Sequence, residues 1–164
     1  MASATTPLRS AVKDRLYPVI AQRGFVRGKG AHPLFAGFRR QRDGKVQVFE
    51  VQWDKYHRPC FVLNFGEAPL GELEVNGTHV SADEVGPAHC PAGGRLQRYR
   101  GGSLNCWFRL RKPWMKVLTS GSWNFRPEEV ADEVTEAFQE LEEWWASKVE
   151  GPHVYVWRHV VPAA

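Results

Sequence analysis

Three runs rich in β-branched and aromatic residues follow one another in the first half of the chain, separated only by short polar segments. The runs are Leu34 to Arg40, Lys45 to Trp53 and Cys60 to Phe65. Such short connections favour antiparallel pairing, because a parallel pair needs a crossover of about a dozen residues or more. The pair Asp43-Gly44 between the first two runs also favours a tight hairpin turn. The pattern therefore predicts an antiparallel meander.

Two amphipathic helices are predicted on either side of these strands. From Thr6 to Arg23, apolar residues recur three or four positions apart, and Gly24 stands where a left-handed residue often ends a helix. Pro18 lies inside this segment and predicts a kink or an early end. The second helix begins at Pro127, and its apolar stripe consists of Val130, Val134, Phe138, Leu141 and Trp145. We expect both helices to pack on one face of the sheet.

Further strands are predicted in the second half. Asn76-Gly77 favours a hairpin between Glu72 to Val75 and His79 to Ser81. Leu104 to Arg111 alternates apolar and polar residues, His153 to Val161 resembles a last strand, and the Gly- and Pro-rich stretch from Gly86 to Gly94 is predicted to be a loop. Together the elements predict a single α+β domain over residues 1–164 with an antiparallel sheet of roughly five to seven strands, preceded by a flexible tail over about residues 1–6.

Cysteine spacing and hydropathy indicate the compartment. The three cysteines, Cys60, Cys90 and Cys106, are widely spaced and form no CxxC pair, which favours a reducing compartment over a disulfide framework. No segment approaches the ~20 apolar residues of a membrane span, and the first residues lack the apolar stretch of a signal peptide. We expect a cytoplasmic protein of bacterial type with no membrane partner.

Several short motifs in the first half resemble a bacterial family defined only as a domain of unknown function. They are Arg23-Gly24-Phe25, Phe38-Arg39-Arg40, Val51-Gln52-Trp53 and Phe61-Val62-Leu63-Asn64-Phe65-Gly66. In that family the first helix ends in Gly-Phe, the next strand carries Phe and Arg, the following strand ends in Gln, and the third contains Phe-x-Val-Asn-x-Gly. The resemblance covers Leu8 to Gly66, and Trp53 departs from it. It implies an α+β fold and carries no catalytic residue to this chain.

No contiguous catalytic or cofactor-binding motif occurs. The sequence lacks GxSxG, HExxH, P-loop and GxGxxG patterns, although a site assembled by the fold needs none of them. A metal site would have to combine His57 and Cys60 with His89 and Cys90, a weak match to the paired ligands of structural zinc sites. We expect no metal, no cofactor and no catalytic residue.

Aromatic and basic residues interleave in one segment. The chain has seven tryptophans and a formal net charge of +4, and the segment contains Trp107, Arg109, Arg111, Lys112 and Trp114. Trp and Arg are enriched at protein–protein hot spots, and aromatic rings with cations also bind single-stranded nucleic acids. The alternative is that the tryptophans pack in the core while the arginines extend to solvent.

A polar set on the meander is the second candidate site. If Arg40, Glu50, Gln52 and Asn64 share one side, they would line a groove near Trp53 and orient a ligand by hydrogen bonds. The alternative is an exposed sheet face with Arg40 and Glu50 as a cross-strand charge pair.

These patterns predict a non-catalytic binding protein. The expected partner is another protein or a small ligand, and the alternatives are a single-stranded nucleic-acid binding protein and a small-molecule-binding protein or enzyme. The predicted binding residues are Trp107, Arg109, Arg111, Trp114, Arg40, Gln52, Trp53 and Asn64.

Overall fold

Two long helices cover one face of an antiparallel sheet in the computed structural model, which describes residues 5–30 and 32–157. The helices are α1 (Thr5–Gln22), α2 (Trp114–Ser120) and α3 (Pro127–Ser147). The strands are β1 (Val26–Arg27), β2 (Phe35–Arg42), β3 (Lys45–Trp53), β4 (Cys60–Pro69), β5 (Leu73–Val75), β6 (Thr78–Val80), β7 (Ala92–Leu96), β8 (Phe108–Arg109) and β9 (Val154–Val156). The main sheet has the order β1-β2-β3-β4-β7-β9 with β8 beside β4, and β5 pairs with β6. The predicted α+β fold is confirmed.

Packing of α3 on the sheet forms the centre of the core. All five predicted stripe residues of α3 are buried, as are Leu8, Val12, Leu16 and Ile20 of α1. The ring of Phe138 lies 5.1 Å from that of Phe49 and 5.9 Å from that of Phe25, both at edge-to-face angles. Burial of one such side chain stabilises the fold by about 1.5–3 kcal/mol.

The two predicted hairpin turns are confirmed. Asp43 and Gly44 have φ angles of 52° and 73°, and Asn76 and Gly77 have 51° and 77°. Positive φ at both central residues is the signature of the type I′ turn, whose twist matches that of the flanking strands. The first turn fixes the register of β2 against β3, in which Phe38 pairs with Phe49 and Arg40 with Gln47.

The expectation that Pro18 ends α1 early is wrong. The helix continues to Gln22, because Pro18 lies on the exposed side while Leu16 and Ile20 anchor the buried side. Gly24, with a φ of 85°, then ends the helix as predicted. Thr5 and Thr6, which were predicted to belong to a flexible tail, lie in α1, and residues 1–4 are outside the described part. No helix in the described ranges is long and apolar enough to cross a membrane.

The stretch predicted as a loop from Gly86 to Gly94 runs into a central strand. β7 pairs with β4 on one side and with β9 on the other. A side chain at Gly93 would collide with the backbone of Phe65, and one at Gly94 with the backbone of Tyr155. The two glycines therefore mark close strand contact, which the sequence alone does not distinguish from a loop.

The predicted strand from Leu104 to Arg111 is mostly wrong. Residues Leu104–Cys106 form a turn of 3-10 helix, and only Phe108–Arg109 pairs with β4. Trp107 and Phe108 are both buried, Phe108 in the core under the helices and Trp107 on the opposite face against Cys60 and Val62. The last strand is likewise short, Val154–Val156, and residues 158–161 of its prediction lie outside the described part.

A buried carboxylate near the end of β4 contacts the residue that follows α3. Glu67 is 6% exposed and accepts hydrogen bonds from Lys148 Nζ at 2.8 Å and from Lys45 Nζ at 2.9 Å. Burial by itself would raise the pKa of Glu67, but the hydrogen bonds and charges of these two lysines lower it below its usual value. The ionised form is therefore the form that stabilises the folded state.

Glu67→Gln is expected to lower the free energy of unfolding by about 1–3 kcal/mol at pH 7, because both lysines lose a charged acceptor. Since the folded-state pKa is lowered, this contribution is present above the unfolded-state pKa of about 4.3 and is lost as pH falls through the folded-state pKa. Urea denaturation of both proteins between pH 3 and 7 measures the difference, with exposed Glu72→Gln as the control. A difference independent of pH would contradict this role.

Candidate functional site

The predicted binding residues do not converge on one site. Arg40 and Trp53 face the helices, whereas Gln52 and Asn64 lie on the opposite face of the sheet. Trp107, Arg109, Arg111 and Trp114 belong to the segment between β7 and α3. The predicted grouping of Arg40 with Glu50, Gln52 and Asn64 on one side is therefore wrong, because Arg40 is an even number of positions from the helix-facing residue Phe38.

Arg40 is a structural residue. Its Nη1 donates to Glu142 Oε1 and to the carbonyl of Arg23, both at 2.9 Å, and its Nε donates to Gln47 Oε1 at 2.7 Å. The guanidinium also lies 4.3 Å from the ring centroid of Phe25. These contacts join β2 to α3 and leave little of the guanidinium for a ligand; the cross-strand pair with Glu50 does not form.

Trp53 and Trp107 are core residues on opposite faces. Trp53 packs against Phe61 at 4.8 Å between ring centroids, and the Arg9 guanidinium covers its ring at the same distance. Trp107 is 7% exposed. For these two tryptophans, packing in the core is the correct alternative.

A polar row crosses the face of the sheet opposite the helices. In register from strand to strand it contains Gly37, Glu50, Asn64, Arg95 and Tyr155. Asn64 Nδ2 donates to Glu50 Oε1 at 3.0 Å and to Gln52 Oε1 at 2.8 Å, and Arg95 Nε donates to Asn64 Oδ1 at 3.1 Å. Apolar clusters around Cys90 and around Trp107 lie on either side of the row. Gln52 and Asn64 thus act in one hydrogen-bonded network.

Residues 110–125, here called the arm, form a closed excursion from the sheet. Its two ends are joined by hydrogen bonds from Phe125 N to Leu110 O at 2.7 Å and from Lys112 N to Trp123 O at 2.9 Å. Between them lies α2, which ends at Gly121 with a φ of 65°. None of the α2 residues is buried, so the helix is held by its base and not by the core.

The arm exposes four large apolar side chains. Trp114, Met115, Leu118 and Trp123 are each 64–75% exposed. Positions 114, 115 and 118 share one face of α2. Of these four, only Trp114 was predicted as a binding residue. The spacing of Met115 and Leu118 relative to Trp114 is a helical signal present in the sequence, whereas Trp123 lies beyond the helix. Large apolar groups clustered on a surface mark an interaction site far more often than isolated ones do.

The positive charge around the arm is not balanced locally. Residues 91–127 contain eight Lys or Arg and no Asp or Glu. Arg98, Arg100 and Arg126 pair with Glu133, Glu150 and Glu129 of other segments. No carboxylate of the described residues lies within 4.0 Å of the other cations of the arm and its base, which are Arg109, Arg111, Lys112 and Lys116.

Contacts that these cations do make are with neutral groups. Arg109 Nη1 donates to Asn105 Oδ1 at 2.7 Å, and Lys112 Nζ donates to Ser120 Oγ at 2.9 Å. Arg111 lies 5.9 Å from the ring centroid of Trp123. Lys112 does act electrostatically on one acid, Glu129. The pKa of Glu129 is lowered mainly by the backbone N–H of Arg126, and to a smaller extent by the positive charges of Arg126 and Lys112.

A cavity of about 430 Å³ opens at the base of the arm. Arg98 forms part of its lining, but its guanidinium is occupied by Glu133 and by the carbonyl of Arg109. The other polar and aromatic lining residues are Tyr99, Asn105, Cys106, Arg109, Arg111 and Lys112. The cavity is therefore lined by cations and neutral groups only, and it adjoins Trp114 through Pro113.

The histidines and cysteines do not converge. Cys60 and Cys90 lie in different apolar clusters, and His89 Nδ1 accepts from the backbone N–H of Gly86 at 3.0 Å. Within residues 5–30 and 32–157, no group of three or more His, Cys, Asp or Glu side chains is placed to hold a metal ion.

Comparisons of the chain with protein-family models, curated proteins and solved structures found no match. The resemblance to a bacterial domain of unknown function stays a prediction, and the site is described by its geometry alone.

Substitution of a buried tryptophan is expected to lower the free energy of unfolding more than substitution of an exposed one. Trp107→Ala should lower the free energy of unfolding by about 3–5 kcal/mol, because it opens a cavity against Cys60 and Val62. Trp114→Ala should change it by less than about 0.5 kcal/mol, because the side chain is exposed. Urea denaturation of both variants tests this, and equal losses would mean that the arm packs on the core.

The three thiols should react in a fixed order. Burial, with a smaller effect of Asp54, raises the pKa of Cys60 to about 11, and burial with Glu67 raises that of Cys90 to about 12. At pH 8 a thiol of pKa 11 is only about 0.1% thiolate. Iodoacetamide followed by mass spectrometry should therefore label the half-buried Cys106 first, and Cys106→Ser should remove the native-state signal. Rapid labelling of Cys60 or Cys90 in the folded protein would contradict the burial.

Proposed function

We propose that this protein is a non-catalytic binding module that docks onto another protein through the arm. The observation that carries the proposal is the exposure of four large apolar side chains, Trp114, Met115, Leu118 and Trp123. They lie on a segment whose two ends are joined by backbone hydrogen bonds. None of these side chains belongs to the described core, since each is at least 64% exposed. A covering surface would remove them from water at about 25 cal/mol per Å² of apolar area.

The composition of the arm suits a protein interface. Trp and Arg dominate the residues whose loss weakens protein complexes, and they act from the centre of an interface with a surrounding rim. A Trp side chain buries about 150–250 Å², so the four apolar residues supply a centre of the right size for one partner's share, about 800 Å², of a standard interface. The cations around them supply a polar rim.

Single-stranded nucleic acid is the second candidate, and the unpaired cations beside Trp114 and Trp123 favour it. Aromatic rings stack on bases, and cations hold phosphates. Met115 and Leu118, however, are aliphatic and have no ring to stack on a base. Their exposure between the two tryptophans favours an apolar protein surface instead.

The test is affinity capture on the tagged full-length protein, comparing wild type with the double variant Trp114→Ala/Leu118→Ser. We expect at least one protein to be retained at both low and high salt by the wild type and lost with the double variant, because its apolar contacts are removed. Mass spectrometry identifies retained proteins, and absorbance detects nucleic acid. A photo-cross-linking amino acid at position 118 then reports direct contact.

Val26→Ser is the matched control, because Val26 is 61% exposed on the edge strand β1. Retention that is equal for the double variant and the control would reject the arm as the site. Retained material that is nucleic acid and is released steeply with salt would replace this proposal by the second candidate.

A further inference from the structure

Three of the cations that line the cavity at the base of the arm are not neutralised by carboxylates of the described residues. Arg109, Arg111 and Lys112 line one cavity of about 430 Å³, and no described carboxylate lies within 4.0 Å of any of them. Like charges held near one another repel, and the cost is relieved by an anion placed between them. The cavity thus has the electrostatic character of an anion site.

The donors of this cavity are largely free. Arg109 uses Nη1 for Asn105, Lys112 uses one of its three donors for Ser120, and Arg111 makes no hydrogen bond within the described part of the chain. Arg98 is different, since Glu133 and the Arg109 carbonyl occupy its guanidinium. Arg98 therefore fixes the position of the Arg109 backbone, while the three outer cations remain available to bind.

We infer that the protein segment docking on the arm is acidic, and that its carboxylates enter the cavity beside Arg109, Arg111 and Lys112 while its apolar side chains cover α2. This inference rests on the proposed function and adds the chemistry of the partner. Guanidinium groups bind carboxylates through paired N–H donors, which gives both charge and geometry to the contact.

The anion site and the apolar face adjoin one another. Arg111 lines the cavity and its guanidinium also lies 5.9 Å from the Trp123 ring centroid. Pro113 lines the cavity as well and directly precedes Trp114. A partner segment that contacts both the cations of the cavity and the apolar face of the arm must place acidic and large apolar residues within a few positions of each other. Phosphate would satisfy the cations equally well, but a nucleic acid offers no aliphatic surface for Met115 and Leu118.

A random peptide library displayed on phage and selected against the full-length protein tests the inference. The expected peptides combine Asp or Glu with Leu, Phe or Trp. The strongest one, made synthetically with a fluorophore, is then titrated with wild type and variants by fluorescence anisotropy. A second peptide in which Gln and Asn replace its Glu and Asp should bind at least about tenfold more weakly.

The charge variant is Arg109→Gln/Arg111→Gln/Lys112→Gln, which should weaken peptide binding at least about tenfold. Its control, Lys13→Gln/Lys29→Gln/Arg42→Gln, changes the net charge equally at exposed positions away from the arm and should weaken binding less than about threefold. Thermal unfolding of both triple variants checks that they fold. Arg109→Lys/Arg111→Lys, which keeps the charge, should bind more tightly than the Gln variant.

Each result separates the two proposals. Loss of peptide binding with Trp114→Ala/Leu118→Ser but not with the charge variant would overturn the acidic partner and leave the proposed function standing. Selected peptides without acidic residues would overturn it as well. Recovery of no peptide, together with oligothymidylate binding that depends on Arg109 and Arg111, would overturn both and assign the cavity to phosphate.

Discussion

Contact between the Phe138 ring and Phe49 is the interaction around which this molecule is organised. It places α3 across the middle of the sheet, and the edge-to-face packing of Phe25 on both rings holds the end of α1 in the same layer. Both long helices therefore pack on the same face of the sheet. The polar row lies on the opposite face, and the arm leaves the sheet after β8 and returns at the start of α3.

Buried charges reinforce this arrangement at the edge of the core. Arg40 joins β2 to Glu142 of α3, and Glu67 joins β4 to Lys148 just after α3. Arg98 joins the end of β7 to Glu133. Each of these pairs would be costly to break, because it would leave a buried partner uncompensated. Glu133 and Glu142 of α3 are therefore neutralised by arginines of this molecule, while Arg109, Arg111, Lys112 and Lys116 have no carboxylate within 4.0 Å among the described residues.

Sequence periodicity was sufficient to predict the long helices and strands. It was insufficient to predict the parts of the sheet in which both faces are buried. The stripe of α3 and the Asp43-Gly44 turn follow from local rules, so both were predicted correctly. β7 was missed because Gly93 and Gly94 resemble a loop, although tight strand packing requires them. Trp107 was predicted as a binding residue, with packing in the core as the alternative, because alternation distinguishes the two faces of a strand but does not show whether both are covered. Likewise, Arg40 has the composition of a binding residue and the contacts of a structural one. The arm was only half predicted, since composition does not distinguish the buried Trp107 from the exposed Trp114.

Closure of the arm on itself has a consequence for how such a protein would diversify. Because Leu110 O and Phe125 N are only 2.7 Å apart, the residues between them begin and end at nearly the same point. A segment with coincident ends can be lengthened, shortened or exchanged while the strands beneath keep their register. The aromatic core thus constrains the sheet and the two long helices, whereas the sequence and the length of the arm can change without disturbing them.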